Sequence, residues 1–133
     1  MTTFVDKLIA DYAPEPFFTV KLPKGDELKF RNLNDYTEIR ALYKKASEFA
    51  KGHVKGNLTP ELKAVATKDR DVAVMAYIIA ELSESPKFSV VDVLKLSKNA
   101  ALVAHQIASG VSEHLNLESA KSETEEIDEA GEA

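Results

Sequence analysis

The chain has 133 residues, 44% of them hydrophobic, a net charge of −5 and no cysteine. That length suits one domain with a single core, and the lack of cysteine excludes disulfides, thiolate metal sites and cysteine nucleophiles, which fits a reducing cytoplasm. The start Met1-Thr2-Thr3-Phe4-Val5-Asp6-Lys7 has no basic stretch leading into an apolar one, and no apolar run approaches the ~18 residues of a membrane span, so neither secretion nor membrane insertion is expected.

Thr3 and Asp6 have the spacing of a capping box, and Phe4, Leu8 and Tyr12 share one side of a short helix that should stop before Pro14. Pro14 and Pro16 stiffen an extended approach to a strand over about 17–22, in which Phe18, Val20 and Leu22 alternate with Thr19 and Lys21. Leu28 and Phe30 alternate with Lys29 and Arg31 in the same way. Between them Pro23-Lys24-Gly25-Asp26 supplies a turn in which Gly25 is free to take positive φ, so residues 17–31 are predicted to form a β-hairpin with one apolar face. A hairpin is marginal alone, so that face must pack on something.

Asn34 or Asp35 can cap the next helix, over about 35–51, where Ile39, Leu42, Ala46, Phe49 and Ala50 recur at three- and four-residue spacing up to Gly52. Gly52 to Gly56 reads as a connector, and Thr59-Pro60 as the cap and first residue of a short helix over 60–66. Asp69 and Asp71 suit the first turn of a helix over 70–83, whose unbroken apolar run from Val72 to Ala80 predicts burial on several sides and a central place in the fold. Ser85-Pro86 breaks the chain. Ser89 with Asp92 then opens what reads as one long helix over 90–115, along which Leu94, Ser97, Ala101, Ala104, Ala108, Val111 and Leu115 form a seam with a small-residue middle. Small residues let another helix come close, either within the monomer or in self-association. Gly110 weakens this helix by roughly 1 kcal/mol relative to alanine, which predicts fraying beyond it.

The charge is unevenly placed. From Asn116 to Ala133 there are seven acidic residues against Lys121, so this segment carries −6 and the first 115 residues sum to +1. With Ile127 as its only large apolar side chain after Leu117, it cannot bury enough surface to offset the entropy of ordering. The expected fold class is therefore mainly α with a small N-terminal β-hairpin (α+β): a compact helical domain over residues 1–115 followed by a disordered acidic tail over 116–133.

Reactive chemistry finds little support in these residues. His105 and His114 are nine apart, which puts them on opposite sides of one helix, and His53 falls in the connector, so a histidine metal site is not expected. Gly52-His53-Val54-Lys55-Gly56 lacks the strand-before, helix-after setting of a phosphate loop, and no nucleophile-elbow or zinc-protease motif is present. From Lys44 to Arg70, Lys44, Lys45, Lys51, Lys55, Lys63, Lys68 and Arg70 outnumber Glu48, Glu61 and Asp69, a local charge of +4 that could meet phosphates. No helix-turn-helix signature or aromatic run for base stacking accompanies it.

The extended segment, the Pro-Lys-Gly-Asp turn, a second strand ending in Arg31-Asn32-Leu33-Asn34 and a helix containing Tyr36-Thr37-Glu38-Ile39-Arg40-Ala41-Leu42 together resemble the start of tail assembly chaperones of long-tailed bacteriophages. The resemblance covers residues 17–50. Residues 51–115 match as a small helical body of the right size, and the acidic end is similar to the variable region after which such chaperones can be extended by a frameshift. The resemblance implies a non-enzymatic protein of the host cytoplasm that binds the tape measure protein, recruits tail tube subunits and leaves before the virion is complete, with no cofactor and no catalytic residues. A chaperone of this kind needs exposed apolar surface together with solubilising charge. The surfaces expected to meet partners are the seam Leu94, Ala101, Ala104, Ala108 and Val111, and then the hairpin face Phe18, Val20, Leu28 and Phe30; core packing would account for either set equally well. Two other roles fit the same residues: a nucleic-acid-associated regulator using residues 44–70 with an autoinhibitory acidic tail, and a structural adaptor subunit.

Overall fold

A computed structural model describes residues 3–13, 15–33, 35–51 and 59–117. Among these there are six helices and a small antiparallel sheet, which is the mainly helical α+β class that the periodicities predict. The expected disordered tail lies outside the described residues from 118 onward, as do the connector at 52–58 and His53.

The first helix, α1 (Phe4–Tyr12), starts with a complete capping box: Thr3 Oγ1 accepts from the Asp6 N–H at 3.0 Å, and the Asp6 carboxylate accepts from the Thr3 N–H at 3.3 Å. It buries none of its residues. Strands β1 (Phe17–Lys21) and β2 (Glu27–Arg31) form the predicted hairpin, in which Phe18 pairs with Phe30 and Val20 with Leu28. Gly25 takes φ 97° in the turn, a conformation costly for any side chain. The strict alternation puts Phe18, Leu28 and Phe30 into the core, with the rings of Phe18 and Phe30 stacked 5.4 Å apart.

Helix α2 (Tyr36–Ala50) is capped by Asp35, whose carboxylate accepts from the Glu38 N–H at 2.9 Å, and turns Leu42, Tyr43 and Ala46 inward. Helix α3 (Pro60–Lys68) is capped by Thr59 and runs two residues longer than the predicted 60–66. Asp69 then caps α4 (Arg70–Leu82), the central element, which packs closely on α2 and α5, less on α3 and only lightly on α6. Its buried side chains, Ala73, Val74, Ala76, Ile78, Ile79 and Leu82, are distributed around the helix, as the unbroken apolar run demands.

The structure corrects the sequence reading at three places. A third strand, β3 (Ser83–Ser85), follows α4 and adds to the hairpin, pairing Ser83 with Phe30 and Ser85 with Lys29 across a register shift, so β2 becomes the middle strand. Three polar residues have no strand periodicity, and this pairing is decided by what lies beside them. The predicted helix over 90–115 is two helices, α5 (Val90–Asn99) and α6 (Ala101–Leu115), separated by Ala100 at φ −144° and ψ 57°. Nothing at Asn99-Ala100-Ala101 forbids a helix locally. The bend lets Val93 and Leu94 of α5 and Ile107 and Val111 of α6 join one core, which a straight rod of about 39 Å would not allow. The folded domain also extends past residue 115: Asn116 closes α6 in the left-handed conformation (φ 55°), and Leu117 is buried at 3% exposure. α6 itself continues through Gly110 to Leu115.

Two side chains tie the layers together. Asn32 donates to the Glu15 carbonyl at 2.8 Å, accepts from the Leu33 N–H and lies 3.2 Å from His114 Nε2, while the His114 ring stacks on Phe18 at 4.0 Å. The sheet and the C-terminal end of α6 are joined there. Lys98 of α5 pairs with Glu61 of α3, and that hydrogen-bonded lysine holds the Glu61 carboxyl below its ordinary value.

Candidate functional site

The expected partner surfaces divide sharply once the chain is folded. Leu94, Val111, Phe18, Leu28 and Phe30 are all core side chains, so none of these five is presented to a partner, while Ala104 is largely buried at the edge of open space. The apolar face of the hairpin packs within the monomer. Val20 and Ala108 are half-buried, and Ala101 is exposed. Of the seam, Ala101, Ala104 and Ala108 line a trough between α4 and α6, while Leu94 and Val111 do not. Burial of large side chains is what stabilises the fold, and only the small members of the seam are left beside open space.

Five of the seven large hydrophobic side chains that are exposed among the described residues lie on α1, which the sequence had placed as a plain N-terminal helix. On α1, Phe4 is 72% exposed, Ile9 59% and Tyr12 79%, with Val5 and Leu8 also open. At about 100° per residue these five fall within one arc of about 140°, and Asp6, Lys7, Ala10 and Asp11 occupy the rest. Val5 and Ile9 complete the i, i+1, i+4, i+5, i+8 pattern begun by Phe4. The amphipathicity was present in the sequence, but nothing there distinguishes a face that packs on the core from one that does not.

The helix is closed by hydrogen bonds at both ends even though none of its residues is buried. The capping box satisfies its first turn, and the Ala13 N–H donates to the Ile9 carbonyl at 2.8 Å at its last. Only four residues, 13–16, separate α1 from β1.

Among the polar groups of the α4–α6 trough, His105 Nε2 and Ser109 Oγ lie 3.4 Å apart, one turn apart on α6. No cluster of three potential metal ligands occurs among the described residues, and His105 faces the trough while His114 faces β1.

The basic residues of the 44–70 stretch that are described, Lys44, Lys45, Lys51, Lys63, Lys68 and Arg70, are exposed, and they are distributed over α2, α3 and the start of α4; Lys55 lies outside the described residues. No helix among the described residues is long and apolar enough to cross a membrane. Comparison with protein-family models, with curated proteins and with solved structures finds no match to this chain.

Proposed function

We propose that this chain is a non-enzymatic tail assembly chaperone of the long-tailed phage type, which binds the tape measure protein and recruits tail tube subunits in the host cytoplasm. The observation that supports this reading most is α1. A helix of nine residues is marginal in water without tertiary support, and this one has five large apolar side chains exposed and none buried. Such a face is stabilised by docking on another molecule, and a contiguous exposed apolar patch on a small domain marks a protein-binding surface. Lipid is the weaker candidate, because interfacial helices have a basic polar face and the polar face of α1 has Lys7 against Asp6 and Asp11.

The test is affinity capture of the full-length tagged protein from its native host, followed by mass spectrometry, beside an Ile9→Asp variant. The expected result is recovery of a long helical tape-measure-like protein or a tail tube subunit by the wild type and its loss in the variant. Recovery of nucleic acid and its processing proteins, released by salt and retained by Ile9→Asp, would overturn the proposal and promote the basic residues between Lys44 and Arg70.

A further inference from the structure

Helix α6 has two working sides. Gly110 and His114 meet β1, through Val20 and Phe18 respectively. Ala108, about 200° around the helix from Gly110, lies with Ala101, Ala104 and Ser112 on the side toward α4, where the two helices are only lightly packed. Two adjoining cavities of about 390 and 410 Å³ occupy that side, both lined by Asp71, Met75, His105 and Ala108, and together they make up the trough. From Ala101 to Ser112 it follows about 16 Å of α6 at 1.5 Å per residue, the length of three helical turns.

The lining specifies what would fit. Alanines at 101, 104 and 108 allow the backbone of another helix to approach closely, and Met75 supplies an adaptable apolar wall. The charged residues lining the trough are Asp69, Asp71 and Glu113, with no lysine or arginine among the described ones. Two segments of the chain itself have the wrong sign for it: α1 carries Asp6 and Asp11 against Lys7, and residues 118–133 carry seven acids against Lys121. That acidic stretch follows directly in sequence from Leu117, which lines one end of the trough. Charge therefore disfavours an internal occupant and a second copy's α1, and favours a cationic one.

We propose that the α4–α6 trough binds an amphipathic helix of a partner protein whose apolar stripe is flanked by lysine and arginine. This site is separate from the apolar face of α1 and does not depend on the chaperone reading. The recognition mode is a helix in a groove, with the alanine floor taking the stripe and the exposed Glu113 carboxylate at the rim taking a flanking cation.

The test uses the isotope-labelled full-length protein and a fluorescent peptide of leucine and lysine arranged with helical period, about 18 residues or five turns long. A scrambled peptide of the same composition and a peptide with glutamate in place of lysine serve as controls. Saturable binding is expected, with amide shifts at Val72–Met75 and Ala101–Ser112. Ala108→Phe, which fills the floor, should weaken it by about ten-fold or more, and Glu113→Lys, at an exposed rim position, by about three-fold or more. If Ala108→Phe does not fold, the exposed Glu113→Lys and the shift map decide the matter. Shifts confined to α1, equal binding of the scrambled peptide, binding of the glutamate peptide, or no saturable binding would each overturn the proposal. So would self-association in the absence of peptide that Ala108→Phe abolishes, which would give the trough to a second copy. The chaperone reading is tested separately through Ile9→Asp, so failure of one leaves the other standing.

Discussion

Gly110 of α6 lies so close to Val20 of β1 that a Cβ at position 110 would stand 2.9 Å from one valine methyl and 3.0 Å from the other. The glycine that weakens the helix is the residue that lets the sheet and α6 meet. Gly110→Ala therefore sets a helix-propensity gain of about 1 kcal/mol against overpacking that costs about 1–3 kcal/mol. Val20 is β-branched and paired with Leu28, so its methyls have little freedom to move. We expect net destabilisation of about 1 kcal/mol in urea denaturation, and recovery in the Val20→Ala, Gly110→Ala double variant beyond the sum of the singles. A Gly110→Ala protein at least as stable as wild type would show that the contact yields.

Ser83, nearly fully buried, joins the end of α4 to the approach to α5: its hydroxyl accepts from the Phe88 N–H at 2.9 Å and donates to the Ala80 carbonyl at 3.0 Å. Ser83→Ala leaves that N–H without its partner. A loss of about 1–3 kcal/mol is expected, read as a lower denaturation midpoint with an unchanged slope; an unchanged midpoint would mean that water replaces the hydroxyl.

The Asp92 carboxyl is held below the usual carboxylate range by hydrogen bonds from Ser89, the backbone N–H first and the hydroxyl second. A carboxyl whose folded pKa is depressed contributes stability above its unfolded value of about 3.9, and that contribution disappears as pH falls through the folded value. Ser89→Ala should cost about 1 kcal/mol near neutral pH, with the gap to wild type closing at more acid pH, and should move the Asp92 titration upward in an NMR pH series. A gap that stays constant down to pH 2 would separate the cap from the carboxylate.

Position 9 and position 30 should respond oppositely to comparable insults. Ile9→Asp alters an exposed side chain on a helix with nothing buried, so its effect on stability should stay within about 0.5 kcal/mol even as partner capture is lost. Phe30→Ala empties a site at 0% exposure in the middle strand and should cost about 3–5 kcal/mol. Thermal unfolding of the two variants side by side distinguishes them, and a large loss in Ile9→Asp would mean that α1 packs on the domain in solution.

Some elements of this fold are written locally. The capping boxes at Thr3–Asp6 and Ser89–Asp92, the caps at Asp35, Thr59 and Asp69, and the hairpin register around Gly25 depend on residues within a few positions of each other. Their hydrogen-bonding groups and φ preferences act before any tertiary contact forms, and they are readable in the sequence for that reason. The candidate surfaces were harder to read. Period and composition identify Leu94, Ala101, Ala104, Ala108 and Val111 as one seam, but the bend at Ala100 divides it, and core packing takes its large members while the alanines remain beside the trough.

By itself, then, the sequence determined where the hairpin and most of the helices lie and where most of them begin. Tertiary structure alone decided that Ser83–Ser85 is a strand, because its partner Lys29–Phe30 lies more than fifty positions away. It also decided that α1 buries none of its residues and that α6 faces the sheet on one side and a trough lined by Asp71 and Glu113 on the other. The physical reason is common to all three: periodicity records that a face is apolar, but what covers that face is set by long-range packing, in which each element is placed by the burial of all the others.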